Sequence, residues 1–111
     1  MIPAFPKPSQ IKRKPEVEHV YPDGRTKLNL NTKEGMARLI ARKRHAWEEQ
    51  GRICSICKKP LRWAETTADH ILPKKQGGSE HDDRQENIAA ACFWCNAKKG
   101  SQRNYVAELV P

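Results

Sequence analysis

An α+β fold is what this sequence predicts, and three observations carry the prediction. Apolar residues recur at helical spacing between Asn31 and Gly51, two short segments beyond them (Thr66 to Ile71 and Asn87 to Ala91) have the length of strands, and two Cys-x-x-Cys pairs bracket both segments. A chain of 111 residues with 37% hydrophobic and 31% charged residues has room for one domain and little apolar material for its core. A domain in that position gains from a staple, and Cys54, Cys57, Cys92 and Cys95 are placed to supply one.

Taken in order, residues 1–30 hold Pro3, Pro6, Pro8, Pro15 and Pro22 with Lys7, Lys12, Arg13 and Lys14 between them, and show no sustained period. They read as an extended basic arm, serving either as a tether to DNA backbone or a partner, or as a plain tail. Residues 31–111 form the single domain. Its first helix is capped by Asn31 or Thr32 with Glu34 completing a capping box, carries an apolar stripe of Met36, Leu39, Ile40 and Trp47, and stops at Gly51. Arg38, Arg42, Lys43, Arg44 and His45 ride on this helix as a phosphate-facing or simply solvated surface, with Arg42 a candidate nucleic-acid contact. Thr66 to Ile71 is β-branched enough for a strand. A polar loop with Gly77, Gly78, Glu80, His81, Asp82 and Asp83 follows, and Asn87 to Ala91 returns as a second strand although its alanines by themselves favour helix. Cys92 to Arg103 reads as the closing helix, with Gly100 near its end.

The formal charge of +8 favours a polyanionic partner, because each Lys or Arg that meets a phosphate releases a condensed counterion. No apolar run approaches the roughly 20 residues needed to span a bilayer, and Met1 to Pro6 lacks a signal-peptide core, so no membrane role and a cytoplasmic location are expected. In a reducing compartment, four cysteines in two close pairs read as ligands of one structural zinc ion: each short turn sets two thiolates on one edge of a tetrahedron. A redox pair explains only half the pattern, and disulfides suit the wrong compartment.

The insert between the pairs holds Asp69-His70-Ile71-Leu72-Pro73, Gly77-Gly78 and Asn87, and the second pair continues as Cys92-Phe93-Trp94-Cys95-Asn96-Ala97-Lys98-Lys99. Over residues 52–103 this resembles the HNH endonuclease family, whose pattern is Asp-His-Ile-x-Pro, a Gly-Gly loop, an Asn and Cys-x-x-Cys-His-x-x-Lys. The resemblance implies a ββα-metal fold: two antiparallel strands and a helix, with a catalytic ion between strand and helix. It implies that His70 is the general base and that Asn87 ties the loop back and orients it. Asp69 and Asn96 then hold a catalytic Mg²⁺ or Mn²⁺. Asn96 stands where the family has its final His, making this an HNN variant whose carboxamide oxygen suits a hard ion. Lys98, Lys99 and Arg103 follow as cations that meet the phosphate.

Neighbouring side chains of a regular strand face opposite sides, so Asp69 and His70 reach one phosphate only if the strand twists or ends there. The implied activity is divalent-metal-dependent hydrolysis of DNA, held mainly by its backbone phosphates. A homodimer, for double-strand cutting, or a phage packaging partner is the assembly the resemblance implies. The rivals are a non-catalytic Cys₄ zinc module that binds nucleic acid and a zinc domain that binds protein.

Overall fold

The computed structural model describes residues 15–72 and 82–100. Two antiparallel two-stranded sheets and two helices make up this part of the chain: β1 (Glu18–Val20), β2 (Thr26–Leu28), α1 (Lys33–Glu49), β3 (Thr66–His70), β4 (Ile88–Cys92) and α2 (Phe93–Lys99). The last three are the expected ββα unit. None of the described helices is long and apolar enough to cross a membrane.

β1 and β2 correct the reading of residues 1–30 as an arm throughout. Within 15–30 the chain folds into a hairpin, with Glu18 opposite Leu28 and Val20 opposite Thr26. The turn is Tyr21-Pro22-Asp23-Gly24. Proline presets the backbone at its second position, Gly24 takes φ +91°, and the Gly24 N–H donates to the Tyr21 carbonyl at 2.9 Å. One of the five prolines thus belongs to a tight turn, and strands of three residues are too short to display a period.

Helix α1 starts where expected, but on a tighter joint. Thr32 is the cap, its hydroxyl accepting from Gly35 N at 3.0 Å and donating to Asn29 O at 2.7 Å. Gly35 therefore holds the third helical position that a capping box would give to an acidic residue, and Glu34 places its charge in the first turn. A Cβ on Gly35 would lie 2.0 Å from the Asn29 carbonyl oxygen, so only glycine lets the hairpin's exit pass this close. The helix ends in a Schellman motif, with Arg52 N on Trp47 O, Gly51 N on Glu48 O, and Gly51 at φ +73°. Its apolar stripe departs from expectation: Met36 and Ile40 are exposed, and burial runs through Gly35, Ala46 and Trp47.

The core is small, and four cysteines belong to it or pack against it. Ala46, Trp47, Cys54, Leu61, Ala90, Ala91 and Cys95 are buried together, with Ile56, Cys57, Trp63 and Cys92 against them. Tight packing explains the alanines of β4: α1 and α2 both contact this strand, which leaves no space for branched side chains. Gln50 closes its open edge. Its carboxamide donates to Ala90 O and accepts from Ala90 N, taking the place of a neighbouring strand. The α1 cations also have internal work. Arg38 and Arg42 hold Glu18 of β1, Lys43 donates to Thr66 O, and Arg44 lies over Trp47 and Trp63.

Candidate active site

The β3–β4 hairpin has two chemically different ends, because the register sets Thr66 opposite Cys92 at one and His70 opposite Ile88 at the other.

At the first end, Cys54 and Cys57 come from a turn held by Lys58 N on Cys54 O and Cys54 N on Lys59 O. Lys58 adopts φ +62° to close it. Cys92 ends β4 and Cys95 lies one turn into α2. The four sulfurs lie within 4.8 Å of one another, and no disulfide joins them. Burial alone would push the Cys54 thiol up. N–H groups of Cys57, Cys92 and Ile56 directed at its sulfur hold it down at about 7. Cys95 is pushed strongly up, by burial and then by the Cys92 and Cys57 thiols beside it. Four crowded sulfurs of which only some ionise easily are a charge problem that a dication resolves, so this donor set fits a metal ion such as zinc.

At the second end the side chains of Asp69 and His70 engage different elements. Asp69 is buried, and both its carboxylate oxygens accept from Lys99 Nζ of α2, at 2.9 and 2.8 Å; the same ammonium donates to His70 O. Lys99, expected among the phosphate contacts, is thus only 5% exposed. One helical turn before it, Asn96 Nδ2 donates to Thr67 Oγ1 and Ala68 O, so Asn96 and Lys99 both lean on β3. Thr67, Phe93, Asn96, Ala97 and Gly100 line a cavity of about 430 Å³ here. Asp69 and Asn96 are hard oxygen donors facing the same helix–strand joint, and the position on Asp69 already suits a cation, since an ammonium stands there.

His70 points to the β1–β2 hairpin. Its Nε2 is 2.6 Å from Asp83 Oδ1, and Asp83 Oδ2 accepts from Leu28 N at 2.7 Å. His70 and Asp83 line a second cavity of about 480 Å³ with Glu16, His19, Lys27 to Asn31 and Leu39. Asn87 bonds to the chain on both sides of the intervening segment. Its Oδ1 accepts from Leu72 N, its Nδ2 donates to Leu72 O and Asp82 O, and its own carbonyl accepts from Ile71 N. The two ends of the intervening segment are thereby pinned together.

Of the remaining expected contacts, Lys98 lies in the last turn of α2, Arg42 is occupied by Glu18 and the Asp83 carbonyl, and Arg103 and His81 lie outside the described residues. Asp83 was missed as a partner of His70, read only as part of an acidic loop. Nothing in linear spacing pairs position 83 with position 70. The one available signal was a second carboxylate shortly before Asn87.

Residues 54–102 match the family model described as HNH endonuclease. That segment is similar to HNH endonuclease domains. The HNH match takes in all four cysteines, Asp69, His70, Asn87, Asn96 and Lys99. Over 82 residues the chain is also 29% identical to the CRISPR-associated endonuclease Cas9 of Corynebacterium diphtheriae. That alignment covers 74% of this chain but 7% of the relative, so the likeness concerns one domain of a much longer protein. No solved structure matches the chain. Within the matched residues the β3–β4–α2 unit is the ββα fold.

Proposed function

We propose that this domain hydrolyses DNA phosphodiester bonds with a divalent metal ion, His70 acting as the general base. One observation carries the reading: Asp69 and His70 close β3 side by side, Asn96 leans on the same strand from α2, and Asn87 clamps the chain immediately after His70. His70 takes the proton from the attacking water, a role an imidazole nitrogen with a free lone pair can fill. Asn87 fixes the backbone on which the imidazole rides. Asp69 and Asn96 would hold Mg²⁺ or Mn²⁺, which supplies Lewis-acid stabilisation of the scissile phosphate when bound. Lys99, relieved of Asp69 by such an ion, has its charge available to the phosphate; Lys98 and Arg103 add to the same field.

The net charge of +8 supports binding through DNA backbone phosphates. A homodimer or a phage packaging partner, in the cytoplasm of a bacterial or phage-infected cell, completes the proposal. The second reading, a non-catalytic zinc module that binds nucleic acid, is favoured by the internal pairing of Asp69 with Lys99. Supercoiled plasmid incubated with the protein and Mg²⁺, Mn²⁺ or EDTA separates the two. Divalent-dependent nicking is expected, with His70→Ala folded, still bound to DNA and slower by roughly 10²- to 10⁴-fold. Absence of nicking by the wild type under every ion would leave the second reading.

A further inference from the structure

His70 is held by a carboxylate that is itself held by the N-terminal hairpin. Asp83 is 6% exposed, and four contacts fix it. Oδ1 meets His70 Nε2 at 2.6 Å, Oδ2 accepts from Leu28 N at 2.7 Å, its N–H donates to Thr26 O at 2.8 Å, and its carbonyl accepts from Arg42 Nη1 at 2.7 Å. Leu28 and Thr26 belong to β2, and Arg42 to α1. The chain segment carrying Asp83 is therefore laid against β2 as a third, irregular strand would be. A carboxylate is acceptor only, so its contact with Nε2 requires the proton on that nitrogen. This fixes both the plane of the ring and its tautomer, in which the other ring nitrogen carries the lone pair a base needs.

We propose that Asp83 is the positioning residue of His70, and that the β1–β2 hairpin is a working part of the nuclease site because it holds Asp83. The inference rests on the reading of His70 as the base. It assigns a function to residues 15–30, which lie before the segment that matches the family model. A base held by a buried, hydrogen-bonded carboxylate keeps one orientation through the reaction, and losing such an orienting partner reduces activity roughly 10- to 100-fold. A hairpin that served only to cover apolar surface would not direct a backbone N–H at a carboxylate of the site.

The test is a double-mutant cycle on plasmid nicking together with ¹⁵N spectroscopy of the His70 ring in the full-length, zinc-loaded protein. Asp83→Ala is expected to lower kcat about 10- to 100-fold, leaving KM for DNA and zinc content unchanged. Added to His70→Ala, it is expected to change the residual rate no further, because it acts only through the imidazole. In wild type the neutral ring is expected to carry its proton on Nε2. If Asp83→Ala slows the His70→Ala protein by the same factor as the wild type, or if the wild-type ring carries its proton on Nδ1, the proposal is wrong. The ring measurement decides the matter even where Asp83→Ala does not fold. It also stands apart from activity: a wild type that never nicks DNA overturns the base role, whereas Nδ1 protonation in an active enzyme overturns Asp83 alone.

Discussion

The two ends of the β3–β4 hairpin solve opposite electrostatic problems. At the cysteine end four sulfurs crowd together, and backbone N–H groups are directed at Cys54. At the other end two buried carboxylates are each matched within the chain, Asp69 by Lys99 and Asp83 by His70. The first end is a donor set that could hold a metal ion supplied from outside. The second is complete as it stands, so chemistry there must begin by exchanging a partner. This difference follows from donor type: soft thiolates have no side-chain counterion of their kind, whereas a carboxylate is readily satisfied by an ammonium or an imidazole.

The largest expected effect tests that division directly. Cys92→Ala removes one ligand and should abolish the cooperative fold, since structural zinc sites contribute on the order of 10 kcal/mol or more at neutral pH. Circular dichroism and zinc content measure it. Asn96→Ala, one turn further along the same helix, should keep both signals and lose nicking. Equal unfolding by the two substitutions would mean that the ends are one site rather than two.

How much of this could be read beforehand depended on whether a feature was local. Thr32, Gly51, the Cys-x-x-Cys turns and the β3 segment announce themselves within a few residues, and all were legible. The ββα unit was legible through its ordered motif, even though Ala89 to Ala91 argue for helix by propensity. Their strand form is a tertiary effect, set by contact with both helices and by the Gln50 carboxamide at the edge. The hairpin was missed because its strands are three residues long and its Pro-Asp-Gly turn sat among other prolines. The placements of Lys99 and Arg42 were missed for another reason. A cation's partner lies 30 residues away for Lys99 and 24 for Arg42, and no periodicity encodes such a pairing.

Lys99→Met sharpens the comparison next. It strands a buried carboxylate, and breaking such a pair by removing one partner costs about 3–5 kcal/mol. If the Asp69 position is a cation site held by an internal stand-in, Mg²⁺ should restore part of that loss, and should stabilise Lys99→Met more than wild type. Thermal unfolding with and without Mg²⁺ reads both. A loss that no divalent ion repairs would make Asp69–Lys99 a purely structural pair and count against Asp69 as a metal ligand.

Gly35→Ala should be smaller, on the order of 1–3 kcal/mol, because the new methyl must push the Asn29 carbonyl away from 2.0 Å. The damage should be one-sided. Asn29 follows β2, whose Leu28 N–H holds Asp83, so nicking should fall as the hairpin shifts, while the cysteine end keeps its metal. Zinc release measured beside activity tests this; parallel loss of both would show that the two ends are coupled more tightly than their contacts imply.

The smallest effect concerns the ion pair that locks the hairpin onto α1. The hydrogen bond from Arg42, helped by Arg38, outweighs burial and holds the Glu18 carboxyl below its ordinary 4.5. A folded-state value depressed in this way gives stability that is full above 4.5 and is lost as pH falls through the lowered value. Because the pair is only half-buried and stays within reach of solvent, screening limits this to at most about 1 kcal/mol. Glu18→Gln should therefore weaken hairpin protection at neutral pH and flatten its acid dependence, with the difference shrinking in high salt. Hydrogen exchange at the Leu28 amide is the sensitive probe, because Arg42 bonds both Glu18 and the Asp83 carbonyl, and Asp83 in turn holds Leu28 and His70. If Leu28 exchange in wild type and Glu18→Gln has the same acid dependence, the hairpin is held by its backbone bonds to the Asp83 segment, and the carboxylate end is tied down without help from α1.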